Sequence, residues 1–129
     1  MNLLLDTHIL LWAAGQPDRL SEKCRALLLN PSNNLIFSAA SLWEISIKFK
    51  LGRSDFNIDP ALLRRMLLLH TYRELPVNGE HAIAVSTLPS LHKDPFDRIL
   101  ITQARTEGML LITSDSLVAA YGDGIWLVD

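Results

Sequence analysis

The sequence predicts an α/β domain with a central, mainly parallel sheet and helices on both of its faces. Three observations lead there. Short apolar runs recur along the chain, each bounded by polar or turn residues, as strands buried on both faces tend to be. Between them lie longer stretches of helical periodicity. Gly15, Pro31, Gly52, Pro76, Gly108 and Gly122 then punctuate the alternation.

In chain order, Leu3-Leu4-Leu5 predicts the first strand. Asp6-Thr7-His8 and a second apolar run follow it, and Asp6 could cap a helix there. Residues 21–29 read as a helix, Leu35-Ile36-Phe37 as a strand, and 41–51 and 60–70 as two helices. Residues 73–77 form a weaker strand candidate, followed by helical patterns at 80–88 and 95–107. Leu110-Leu111-Ile112 is the next strand, 116–121 a short helix and 125–128 a last, weak strand. No internal repeat, low-complexity tract or linker divides the chain, so its 129 residues are expected to form one domain with its own core.

Composition narrows the class. Apolar residues make up 49% of the chain, and no stretch approaches the roughly 20 apolar residues of a membrane span. The start, MNLLLDTHILLWAAG, lacks a basic region and is interrupted by an acid, so no signal peptide is expected. The only cysteine, Cys24, cannot form an internal disulfide, which fits a reducing cytoplasm. A mean hydropathy of +0.19 points to an apolar surface covered by a partner. The net charge of −2 lacks the basic footprint usual for nucleic-acid binding. That sum misleads if acids gather around a cation. With four of the 14 acids so engaged, 12 basic groups would face ten acidic ones elsewhere.

Acids stand where ligands bind. In open α/β sheets that place lies beyond the carboxyl ends of the strands. Asp6 directly follows the first apolar run, where it has little structural excuse. Asp115 follows the third of the strong runs, after Thr113-Ser114. Ser41-Leu42-Trp43-Glu44 has the form of a capping box, which alone would account for Glu44, or for an ion pair with Lys48 one turn on. The helix is otherwise apolar nearly all round, so Glu44 is also placed to reach into a cleft.

The segment HKDPFDRIL holds two acids three residues apart. Asp94 is a helix cap, with proline at the first helical position. Asp97 could complete a capping box, yet it shares the i, i+3, i+4, i+7 face with Leu100, Ile101 and Ala104. A charge on that stripe is costly unless it is paired or bound to metal. Where the start of this helix sits relative to the other acids is left open by the sequence. Carboxylates brought close together would hold protons near neutral pH unless a divalent cation separated their charges. Oxygen-only ligation suits Mg²⁺ or Mn²⁺, and no Cys/His cluster supports structural zinc.

Three segments, LLLDTHILLW, SAASLWEISIKFKLGR and HKDPFDRILITQARTEGMLLITSD, together resemble the PIN domain, and most closely its VapC-like ribonuclease toxins. The resemblance spans nearly the whole chain. It implies a three-layer α/β/α sandwich and a Mg²⁺- or Mn²⁺-dependent endoribonuclease that leaves 5′-phosphate and 3′-hydroxyl ends. It carries the catalytic and metal-binding roles onto Asp6, Glu44, Asp97 and Asp115, and implies that these four converge. Asp94, from the DPFD form of the motif, and Thr113 are expected to support them. The resemblance further implies a small antitoxin partner and a homodimer. Trp12, Trp43 and Met66-Leu67-Leu68-Leu69 are candidates for those contacts, although core packing explains any one of them as simply. Lys48, Lys50, Arg53, Lys93 and Arg98 are candidate contacts for RNA phosphates.

Rival readings use other residues. His8 and His92 could serve as acid and base for a metal-free ribonuclease with the RNA 2′-hydroxyl as nucleophile. A phosphatase with an aspartyl nucleophile is disfavoured because Asp6 has no second acid two residues on. A non-catalytic receiver-like module would need an aspartate after a central strand and a lysine after a late one. Ser38 and Thr113-Ser114-Asp115 stand there instead.

Overall fold

In the computed structural model, which describes residues 1–128, the first strand β1 (Asn2–Leu5) lies at the middle of the sheet. Its leucines are wholly buried and alternate between the two faces, Leu3 and Leu5 towards one layer of helices and Leu4 towards the other. β2 (Asn34–Ser38) pairs with β1 on one side, Leu3 opposite Leu35 and Leu4 opposite Ile36. β4 (Leu110–Thr113) pairs with it on the other, Leu4 opposite Leu111 and Leu5 opposite Ile112. β3 (Arg73–Leu75) and β5 (Ile125–Leu127) extend the sheet outwards to give the order β3-β2-β1-β4-β5, with every pairing parallel. The chain therefore winds one way from β1, then returns to the other side of it.

One face is covered by α1 (Thr7–Gly15), α2 (Glu22–Leu29), α3 (Ala39–Lys50) and α4 (Pro60–Leu69), which bury Ile9, Leu10, Cys24, Ile45 and Leu63 against Leu3 and Leu5. The other is covered by α6 (Pro95–Glu107) and the short α7 (Ser116–Ala119), with Leu100, Ile101, Ala104 and Val118 packed around Leu4 and Leu111. α5 (Gly79–Ala84) lies beside α6. The result is the three-layer sandwich that the sequence predicts.

Four details depart from the expectation. α1 is a helix although no periodic stripe marks it, because Thr7–Gly15 is apolar almost throughout and so carries no contrast between faces. α3 starts at Ala39 with Ser38 as its cap, accepting from the amide of Ala40, so Ser41-x-x-Glu44 is no capping box. The pattern at 80–88 divides into α5 and a 3-10 turn at Val85–Thr87. β3 stops at Leu75, because Pro76 has no amide to offer a ladder.

α6 ends on Gly108, in the left-handed conformation at φ 68°. A Cβ would meet nothing there, so the penalty of a side chain is purely conformational. Gly108→Ala is expected to lower the unfolding free energy by about 1 kcal/mol, read as a lower urea midpoint with an unchanged slope.

Candidate active site

Because the sheet order reverses between β1 and β4, their carboxyl ends splay and leave a crevice. A small cleft of about 100 Å³ opens there, lined by Asp6, Thr7, His8, Glu44, Lys48, Asp94, Asp97, Ser114 and Asp115. The placement that the sequence leaves open is thereby decided. α6 runs back across the sheet to feed β4, which brings its N-terminus to the carboxyl edge.

Three of the acids are helix caps. Asp6 Oδ1 accepts from the amide of Ile9 at 2.9 Å, at the start of α1. Asp94 Oδ1 accepts from Phe96 and Asp97 at the start of α6, and Asp115 Oδ1 accepts from Leu117 at the start of α7. Each cap uses one carboxylate oxygen of two. The sequence reading divides the two acids of HKDPFDRIL between a cap and an inward-facing group, and their geometry follows that division. Asp97 makes no bond to the Asp94 amide. It lies on the face of the buried Leu100, Ile101 and Ala104, with Oδ2 3.2 Å from His92 Nε2. Glu44, in the second turn of α3, is 4% exposed. Its Oε2 meets Lys48 Nζ at 2.5 Å, while its Oε1 is buried without a hydrogen-bond partner.

Thr113, wholly buried at the end of β4, binds two of these acids together. Its hydroxyl donates to Asp6 Oδ2 and accepts from the amide of Asp115 at 3.0 Å. Thr113→Val would remove both of these bonds, so it is expected to cost about 1–3 kcal/mol of stability in urea titration. Other ties were invisible in the sequence. Thr7 Oγ1 donates to Ser41 Oγ, joining α1 to α3, and Ser38 Oγ donates to Gln103 Oε1 at 2.6 Å, joining α3 to α6. Both link residues more than thirty positions apart, and no local pattern announces them.

The crowding shows in the electrostatics. Burial, then the charge of Asp94, pushes Asp97 up to about 7, with Asp6 and Glu44 adding to the effect and the His92 hydrogen bond opposing it. Burial also raises Asp6. An all-oxygen donor set that resists carrying its charges, with one buried oxygen left unpartnered, fits a hard divalent cation such as Mg²⁺ or Mn²⁺. Among the described residues no three Asp, Glu, His or Cys side chains are already arranged around one point. Lys48 and His92 each hold one acid.

The candidate cations divide. Lys48 belongs to the cleft, and Lys50, Arg53 and Lys93 are exposed. Arg98 is turned away from the cleft: its guanidinium donates to the Pro89 carbonyl at 2.8 Å, the Tyr121 hydroxyl at 3.0 Å and the Val85 carbonyl. The two histidines divide as well. His8 lines the cleft, whereas His92 stands behind Asp97.

These layers and the acidic crevice at the strand-order switch define an α/β/α protein with a carboxylate-lined site. A model of the PIN domain matches residues 3–123. The chain belongs to the PIN-domain family. It is 28% identical over 114 residues to the protein named Ribonuclease VapC22 from Mycobacterium tuberculosis, covering 88% of this chain and 86% of that one. Among solved structures it is similar to VapBC2 from Rickettsia felis bound to a promoter DNA fragment, with a TM-score of 0.70, 14% identity, and 97% and 96% of the two chains covered. It is also similar to a toxin–antitoxin complex from Klebsiella pneumoniae, at a TM-score of 0.62 and 20% identity over 96% and 95% of the chains. At these identities the structural likeness establishes the fold.

Proposed function

We propose that this protein is a divalent-metal-dependent endoribonuclease of the VapC kind, acting as the toxin of a toxin–antitoxin pair. The observation that carries the reading is the meeting of Asp6, Glu44, Asp97 and Asp115, from four separate elements, in one cleft. The similarity to a named ribonuclease supports the choice of RNA as substrate.

Asp6, Glu44, Asp97 and Asp115 would hold Mg²⁺ or Mn²⁺. When bound, such a cation lowers the pKa of a coordinated water and neutralises charge developing at phosphorus. The protein supplies the rest. Thr113 and the caps hold the carboxylates in place, and Asp94 stays a cap beside them. Lys48 balances the charge of Glu44 and lines the cleft, where it is placed to contact an RNA phosphate. Lys93 and Arg53 are exposed and would contact the RNA backbone. In-line hydrolysis with departure of the 3′ oxygen gives 5′-phosphate and 3′-hydroxyl ends.

The histidine-based rival loses its geometry, because an acid and a base must both face the scissile bond. His92 Nε2 and Nδ1 are occupied by Asp97 and Tyr121.

The partners follow from the same reading: an RNA substrate, a small antitoxin and a second copy of the chain, in the cytoplasm. Trp43, Leu51 and Leu69 are exposed and fit partner contacts, whereas Trp12 packs against the core and Leu67 is buried. No helix among the described residues is long and apolar enough to cross a membrane.

The test is cleavage of end-labelled RNA by the purified protein with Mg²⁺ or Mn²⁺ and with EDTA, with the product ends analysed. Metal-dependent cutting that leaves 5′-phosphates is the expected result. Cutting that persists in EDTA and leaves cyclic phosphates would return the reaction to a histidine mechanism. Folded protein that binds the metal but cuts no RNA would point to a binding module.

A further inference from the structure

From Asp97 in the cleft outwards, four polar side chains form a continuous chain. Asp97 Oδ2 lies 3.2 Å from His92 Nε2, His92 Nδ1 lies 2.8 Å from the Tyr121 hydroxyl, and Arg98 donates to that hydroxyl at 3.0 Å. The backbone amide of His92 also points at the hydroxyl, at 3.3 Å. Tyr121 is 8% exposed and its ring lies against the His92 ring at a centroid distance of 5.2 Å.

Counting protons assigns every donor in this chain. A phenol oxygen has two lone pairs and one hydrogen. The Arg98 guanidinium and the His92 amide carry no acceptor, so they take the two lone pairs. The hydroxyl hydrogen is then left for His92 Nδ1, which must be bare to accept it. The imidazole proton is therefore on Nε2, where it donates to Asp97 Oδ2. A proton on Nδ1 would give the phenol oxygen three donors for two lone pairs and leave its own hydrogen without a partner.

We infer that Tyr121 is a positioning residue: by donating to His92 Nδ1 it holds the imidazole with Nε2–H on Asp97 Oδ2, so that Oδ2 is kept on His92 and Oδ1 is left as the oxygen offered to the cation. This rests on the proposed metal site. It extends that reading to a residue 24 positions from Asp97 that no acidic motif includes. Outer partners of metal-binding side chains commonly set affinity by orienting the ligand. Arg98 serves the same device from the far end. Its other bonds go to carbonyls of the 85–89 segment, so it also anchors the loop that carries His92.

Two variants separate positioning from packing. Tyr121→Phe keeps the ring and removes the hydroxyl. His92→Gln places an amide donor near the position of Nε2, so it can hold Asp97 without help from Tyr121. Nitrogen-15 spectra of the His92 ring at pH 8, without metal or RNA, should show the Nε2–H tautomer in the natural protein. Mn²⁺ titration should show about a tenfold weaker affinity for Tyr121→Phe. In the His92→Gln background the same Tyr121→Phe change should cost no further affinity. An Nδ1–H tautomer in the natural protein would overturn the inference. So would an equal loss of Mn²⁺ affinity in both backgrounds, which would make Tyr121 a packing residue. The tautomer can be read whether or not RNA is cut, so failure of this device and failure of the nuclease reading are distinguishable.

Discussion

Asp97→Asn is expected to lower RNA cleavage in Mg²⁺ by about 10²–10³-fold or more, the scale seen when one charge-stabilising group is removed from an active site. The amide keeps the volume and can still meet His92, so the fold should survive. What disappears is one negative charge among the carboxylates that would share a cation. Asp94→Asn is the paired control, since asparagine caps a helix about as well as aspartate. If the division of labour between the two acids is right, Asp94→Asn loses far less than its neighbour. Equal losses would show that both acids hold the metal. Full activity in Asp97→Asn would remove it from the site and leave the charge on its apolar face unexplained.

The second large effect is on stability, and its sign is opposite. Asp97 has a folded-state pKa of about 7 against an ordinary value of 3.8. Between those values the native protein holds more protons than the unfolded chain, so stability falls as pH rises through the window. Burial of Asp6 pushes in the same direction. In EDTA the protein is therefore expected to melt lower at pH 8 than at pH 5. Asp97→Asn should recover about 1–2 kcal/mol at pH 8, after allowance for the partial exposure of the carboxylate and for solvent screening. For a domain of this size that is a rise of several degrees in Tm. Mg²⁺ should recover stability in the natural protein instead, by about 2.7 kcal/mol at a hundredfold excess over its dissociation constant. Thermal melts of both proteins at the two pH values, with EDTA or Mg²⁺, measure all of this. A natural protein whose melting ignores both pH and Mg²⁺ would show that the carboxylates are not in conflict. A residue that destabilises the metal-free fold yet is required for activity is the pattern expected of a working site.

The acids were readable one by one because each breaks a local rule. Asp6 interrupts a run of leucines, and Asp97 occupies the core face of its own helix. Glu44 has a bland local account, a capping box begun by Ser41, and that account is the one that fails. Ser41 is instead a buried link to Thr7, and the cap of α3 lies three residues earlier, at Ser38. The choice of Glu44 stands, because its apolar surroundings, rather than the cap, made it conspicuous. Arg98 shows the opposite failure. Its charge suggested RNA phosphate, but a guanidinium has five donors and nearby carbonyls took them. Tyr121 and Gln103 offered no signal, because a tyrosine or glutamine near an apolar stripe is unremarkable until its partner is known.

The sequence by itself determined the alternation of strands and helices, the layered class of the fold, and the acids that do not belong where they stand. Those are properties of short segments, set by periodicity, punctuation and burial, and they survive without knowledge of what lies alongside. The tertiary structure alone decided that β4 returns to the far side of β1, so that the start of α6 meets Asp6, Glu44 and Asp115 at one edge. It alone decided which oxygens are taken by caps, by Thr113, by Lys48 and by His92. Those outcomes depend on contacts between residues far apart in the chain. Hydrogen-bond and charge energies fall steeply with distance, so they exist only once packing has brought the partners within a few ångströms.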